Sequence, residues 1–195
     1  QAEPYFQSFM RMLMRDANIR EIDILAHSMG SQTLLRSLSA LRSIFESNRG
    51  GRLQTLEAEE EGRWARPGSI RIGQLIFAAP DVDRSVFDQK IRRIAPYAKR
   101  VTVYVSSSDV ALLASKTLRS GVARVGQLDD DGKPIRVDLD NVHVIDATWK
   151  EAWYSWDRLK RLFTGYGHDY FSQAEPILLD IKDILMARRD QEQIT

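Results

Sequence analysis

Residues Ile22 to Gly30 read Ile-Asp-Ile-Leu-Ala-His-Ser-Met-Gly, an apolar strand pattern that runs into a small-x-Ser-x-Gly pentad before a helical pattern opens at Ser31. Few folds accept such a run, because a strand must turn sharply into a helix with a serine at the tip. The strained backbone of that turn lifts the hydroxyl out of the fold. The flanking Ala26 and Gly30 are then expected to be small so that strand and helix can approach closely. The same turn aims the first amides of the following helix, chiefly that of Met29, at an oxygen presented to the serine. Ser28 is therefore the candidate nucleophile and Met29 the candidate oxyanion donor. The bland alternative is a serine in an ordinary strand-to-helix turn.

Around this elbow, helical and strand patterns alternate. Phe6, Phe9, Met10, Leu13 and Ala17 recur at helical spacing and predict a first helix ending near Asn18. A strand is expected at Glu21 to Ala26, followed by a helix with Leu34, Leu38, Leu41 and Phe45 on one face. Residues 47–69 turn polar, with Asn48-Arg49-Gly50-Gly51 and an acidic run from Glu57 to Glu61, and read as a surface excursion. Further strands are expected at Ile70 to Ala79, Arg100 to Ser106 and Asn141 to Ala147, with helices at Ser85 to Tyr97, Asp109 to Ser120 and Pro176 to Arg188. Asp129 to Pro134 spells a turn. The closing helix places Ile177, Ile181, Ile184 and Leu185 on its inner side. Strands with near-continuous apolar runs, spaced by helices, predict an α/β domain with a mostly parallel sheet covered on both faces.

Composition excludes several classes. The 195 residues suit a single domain, and 28 Lys plus Arg against 27 Asp plus Glu leave a net charge of +1, so no bulk field recruits nucleic acid or a membrane. With no cysteine the chain has no disulfide scaffold, thiolate zinc site or cysteine nucleophile, while either a cytoplasmic or a periplasmic home is compatible. No targeting segment or membrane span is evident, and no cofactor is expected. His143 and His168 lack a paired metal-ligand spacing, and Asp81-x-Asp83 alone is a poor ligand set, so no metal is expected either.

In parallel α/β sheets ligands lie outside the carboxyl ends of the strands. Those ends deliver Ser28, then Asp81 and Asp83, then Asp109, and finally His168 in Gly165-Tyr166-Gly167-His168-Asp169-Tyr170. The chain order Ser, Asp, His is the one used when a histidine takes the serine proton and a carboxylate holds its other nitrogen. Among three histidines, His168 is the candidate base. His27 adjoins the nucleophile and points away from it, and His143 falls inside a strand. The acid is Asp109 or, as the alternative, Asp81; the structural role open to each is capping a helix, from Ser85 for Asp81 and from Val110 for Asp109. Trp149, Trp153, Tyr154 and Trp156 read as helix and core packing before they read as an acyl pocket.

Ala-His-Ser-Met-Gly, Ala-Ala-Pro-Asp-Val-Asp-Arg-Ser-Val-Phe, Tyr-Val-Ser-Ser-Ser-Asp-Val-Ala-Leu and Gly-His-Asp-Tyr-Phe, in that order, resemble the bacterial α/β-hydrolase family called domain of unknown function 900. The resemblance covers most of residues 1 to 186. It implies a serine-hydrolase fold with Ser28, Asp109 and His168 in the triad positions, favours Asp109 over Asp81, and implies no substrate. One departure is Asp169, where the family is expected to carry a small hydroxyl residue; it sets a second carboxylate beside His168 to compete for its proton.

A second departure lies before the elbow. An α/β-hydrolase has strands there, one of which leads to a Gly-rich loop with the second oxyanion amide. Only the first helix precedes Ile22, so the chain is expected to correspond to the C-terminal part of the domain, roughly its last four strands. An edge along Ile22 to Ala26 would then be exposed and invite self-association. The expected activity is ester hydrolysis on a small-molecule ester through an acyl-enzyme, weak when one oxyanion donor is missing. The alternative is a noncatalytic α/β-hydrolase-like interaction module.

Overall fold

The computed structural model describes residues 2–15, 19, 21–47, 71–107, 109, 112, 123–129, 131–148 and 175–192. In chain order they form α1 (Glu3–Arg15), β1 (Glu21–His27), α2 (Gly30–Ser47), β2 (Arg71–Ala78), α3 (Arg84–Ile94), a 3-10 turn (Ala95–Tyr97), β3 (Ala98–Val105), β4 (Val142–Asp146) and α4 (Glu175–Glu192). The four strands make one sheet in the order β1-β2-β3-β4, and every neighbouring pair is parallel. Each crossover thus moves the chain one strand further in the same direction, so all strand ends that follow a β-segment share one rim of the sheet.

The apolar strands are explained by cover on both sides. On one face Met10 of α1, Leu34, Leu35 and Leu38 of α2, and Phe87, Ile91 and Ile94 of α3 pack with Leu75, Phe77, Val101 and Val103. On the other, Ile177, Ile181 and Ile184 of α4 pack with Ile76, Tyr104 and Leu112. Side chains alternate along β2, so Leu75 and Phe77 serve the first layer while Ile76 between them serves the second. The Phe77 and Phe87 rings meet edge to face at 5.3 Å, locking α3 onto the sheet.

Tyr104 fastens the opposite layer. Its hydroxyl donates to Asp180 Oδ2 at 2.5 Å, tying β3 to α4. Burial, then the hydrogen bond and negative charge of Asp180, push this phenol well above its ordinary titration range. An unfolded tyrosine loses its proton near pH 10, so the stabilisation is complete below that value and is lost as pH rises toward the folded value. The urea midpoint is therefore expected to hold up to about pH 9 and to drop from about pH 10 upward, and to drop less in Tyr104→Phe. Equal slopes in the two proteins would remove Tyr104 as the cause.

Element boundaries differ from the sequence expectation where proline or a turn intervenes. The helix expected through Tyr97 yields at Ile94 to the 3-10 turn, because Pro96 supplies no amide to continue the α-helical ladder. β3 consequently starts at Ala98, two residues before the expected Arg100, and ends at Val105. β2 stops at Ala78 because Ala79 adopts φ 47° ahead of Pro80. The turn at Asp129 is present, with the Asp129 amide donating to Lys133 O at 2.7 Å and Gly132 at φ 73°. Residues 48–70, the helix expected over 109–120 apart from Asp109 and Leu112, the aromatic stretch 149–156 and His168 lie outside the described residues.

Among the described strands β1 pairs only with β2, and it is less covered than its neighbours, with Leu25 45% exposed. Among the described residues no helix is long and apolar enough to cross a membrane.

Candidate active site

Ser28 occupies the two-residue turn between the end of β1 at His27 and the start of α2 at Gly30, with φ 52°. The left-handed region costs a non-glycine residue roughly 1–2 kcal/mol, so the turn must be held. Three backbone bonds do this: the Ser28 amide donates to Ala78 O at 3.0 Å, while its carbonyl accepts from Ser31 N at 3.1 Å and Asp81 N at 3.3 Å. The elbow is thereby fixed to the carboxyl end of β2. The Gln32 amide donates to Met29 O at 3.0 Å, which starts α2 and leaves the Met29 amide at the positive end of the helix. The Met29 side chain points outward, 62% exposed.

The reason given for the two small residues holds for only one of them. Ala26 is buried against the layer containing Leu34 and Leu38, but a Cβ built on Gly30 meets nothing within 4 Å among the described residues. Gly30 is not kept small by close packing, and its φ is not positive. Among the described glycines the one crowded by backbone is Gly126, where a Cβ would lie 2.8 Å from Ala79 C and 2.9 Å from Pro80 N. Two substitutions separate these environments. Gly30→Ala is expected to leave stability unchanged or raise it by about 0.5–1 kcal/mol, whereas Gly126→Ala is expected to cost about 1–3 kcal/mol through backbone displacement. Urea denaturation of both variants checks the pair, and a destabilised Gly30→Ala would restore the packing argument.

Gly126 belongs to a segment laced to the loop after β2. Val125 N donates to Val82 O at 2.9 Å, Gly126 N to Pro80 O at 3.0 Å, Arg84 N to Ala123 O at 3.3 Å, and Ser106 N to Gly126 O at 2.8 Å. The lacing buries Arg124 beside Asp81, with Nε 3.1 Å from Oδ1 and both side chains under a tenth exposed. The pair is in ionic contact without hydrogen-bond alignment, since Arg124 Nε has no hydrogen-bond partner. Asp81 does not cap α3, the structural role open to it beside that of alternative acid. That cap is Asp83, whose Oδ1 accepts from Ser85 N at 2.8 Å and Val86 N at 3.3 Å, and from the Ser85 hydroxyl. The Ser85 hydroxyl bond, aided by the two amides, holds the Asp83 carboxyl below its ordinary range.

Asp109 follows β3 and is 1% exposed, with Oδ1 accepting from Leu112 N at 2.9 Å. One of its oxygens thus makes the helix-capping bond anticipated as its structural role. Asp81 and Asp109 both stand past the carboxyl ends of strands in the rim that carries Ser28. His27 is half-buried at the end of β1, and His143 is exposed on β4, where partial desolvation and then the positive charge of Arg100 lower its pKa. Arg124 is the residue of this rim that sequence reading missed. Among the described residues no group of three His, Cys, Asp or Glu could hold a metal ion.

No curated protein and no solved structure matches the chain. A protein-family model does, over residues 1–181, a span that includes the elbow, both candidate acids and all four strands. With its parallel sheet and strained strand-to-helix serine, the chain belongs to the family described as alpha/beta hydrolase of unknown function (DUF900).

Proposed function

We propose that the chain is a serine hydrolase that cleaves small carboxylic esters through an acyl-enzyme on Ser28. The observation that carries this reading is the backbone of Ser28, a non-glycine residue held at φ 52° between strand and helix. Strain of this kind persists only where surrounding bonds impose it, and here three backbone bonds do so at the rim where parallel sheets bind ligands. In the proposed reaction His168 removes the Ser28 hydroxyl proton as Oγ attacks the ester carbonyl carbon. The negative oxygen so formed accepts the Met29 amide. The ester C–O bond then breaks and the alcohol departs with the proton from His168. Water, deprotonated in turn by His168, releases the acid and restores Ser28. Asp109 holds the histidine in the tautomer this cycle needs.

An active-site fluorophosphonate tests the nucleophile directly. The reagent is expected to add to one residue, found by peptide mass analysis at Ser28, and to leave Ser28→Ala unmodified. A folded protein that takes up no label would favour the interaction-module reading.

A further inference from the structure

Between α2, α3 and the segment carrying Arg124 lies an open groove of about 300 Å³ whose lining includes Arg36, Lys90 and Arg124, with apolar Leu35, Val82 and Val86. Among the described residues three cations face it against a single carboxylate, Asp83. That carboxylate is already engaged with two amides and a hydroxyl as the cap of α3. Of the cations, Arg36 makes an exposed ion pair with Glu3 at 3.2 Å, and Lys90 makes no ion pair among the described residues. Arg124 is 3% exposed, and its Nη2 has no hydrogen-bond partner among the described residues. Asp81 approaches the guanidinium at Nε, 3.1 Å from Oδ1.

Buried guanidinium groups are normally satisfied by several acceptors, because each N–H removed from water without a partner is costly. A concave site with excess positive charge and an under-satisfied arginine therefore selects an acceptor of negative charge. Leu35, Val82 and Val86 set the rest of the ligand: a highly hydrated inorganic ion would leave them uncovered, whereas a short alkyl chain would cover them. The volume is at the small end for ligand sites, enough for a handful of heavy atoms.

We infer that the groove between α2 and α3 is a binding site for a small amphiphilic anion, a short alkyl chain ending in a carboxylate or phosphate. Its lining includes none of the residues assigned to the proposed Ser28 chemistry. Gln32, which also lines the groove, gives its side-chain amide to Asp81 O at 2.5 Å, so one of its walls is bonded to the same loop that supports the elbow.

Calorimetric titration with hexanoate, hexyl phosphate and the neutral hexanamide tests the assignment without requiring turnover. Saturable binding of at least one anion is expected, with hexanamide weaker by tenfold or more. Lys90→Glu is expected to weaken the anion at least tenfold while leaving hexanamide unchanged, and Ser28→Ala is expected to bind as the wild type does. Which of hexanoate and hexyl phosphate binds more tightly identifies the head group. Lys90 is half-buried on α3, whereas Arg124 is fully buried, so the Lys90 variant does not depend on tolerance of a buried change at Arg124. Absence of binding by both anions, equal binding of hexanamide, or indifference to Lys90→Glu would each overturn the site. A Ser28 that fails to hydrolyse esters, with anion binding intact, would overturn the hydrolase reading alone.

Discussion

Ser28→Ala is expected to reduce turnover of a p-nitrophenyl ester panel to the uncatalysed background while leaving the fold unchanged. The loss for removing an acyl-enzyme nucleophile is commonly about 10⁴–10⁶-fold when the remaining machinery is complete. With Met29 as the one oxyanion donor proposed, a smaller starting rate and hence a smaller measurable loss are expected, because one such donor is typically worth about 10²–10³. The direction does not depend on that starting rate. Replacing the serine by alanine removes one oxygen, and the backbone bonds to Ala78, Ser31 and Asp81 that hold the turn involve main-chain atoms only. Circular dichroism and urea midpoints should therefore match the parent within about 0.5–1 kcal/mol. A wild-type protein no faster than Ser28→Ala, with both folded, would replace catalysis by the noncatalytic reading.

The second large effect separates the two candidate acids by what each loses. Asp109→Asn keeps an acceptor for the Leu112 amide, so the local turn should persist while the negative charge proposed to orient His168 disappears. Turnover is expected to fall by about 10³–10⁴, with little change in stability. Asp81→Asn acts on a different quantity. It removes the charge partner of Arg124, a guanidinium buried to 3% exposure, and breaking one side of a buried ion pair typically costs about 3–5 kcal/mol. Its main expected consequence is a large drop in unfolding free energy, with residual turnover in the fraction still folded. Measuring kcat/KM and urea denaturation on both variants resolves the roles. A stable Asp81→Asn protein with turnover abolished, beside an active Asp109→Asn, would transfer the acid role to Asp81.

The parallel sheet and the elbow were legible in the chain because their causes are local. Apolar runs such as Leu75 to Ala79 need cover on both faces whatever the partners are, and helical spacing in α2 and α4 identifies the faces that provide it. Ile177, Ile181 and Ile184 are buried as their spacing required. The turn at Ser28 is likewise written in a short window, since a strand of five or more residues followed at once by a helix leaves few backbone paths between them.

Pairings across the chain were not legible in the same way. Asp81 and Asp83 are two residues apart with the same side chain, and local reading left the cap open to Asp81, whereas Asp83 supplies it. The choice between them was made by Arg124, which main-chain bonds from Val125 and Gly126 carry to the loop after β2. Tyr104 and Asp180, 76 residues apart, meet only because β3 and α4 share the second layer. Gly30 fitted the motif without the crowding supposed to demand it, while Gly126, outside any motif, is the glycine pressed against backbone. Sequence by itself determined which segments become strand or helix, which faces turn inward, and that Ser28 stands at a strained junction, because periodicity and turn sterics act over neighbouring residues. Which carboxylate caps, which one neutralises a buried arginine, and where a groove opens between α2 and α3 were decided by the tertiary structure, because burial and ion pairing depend on distances that only the folded chain sets.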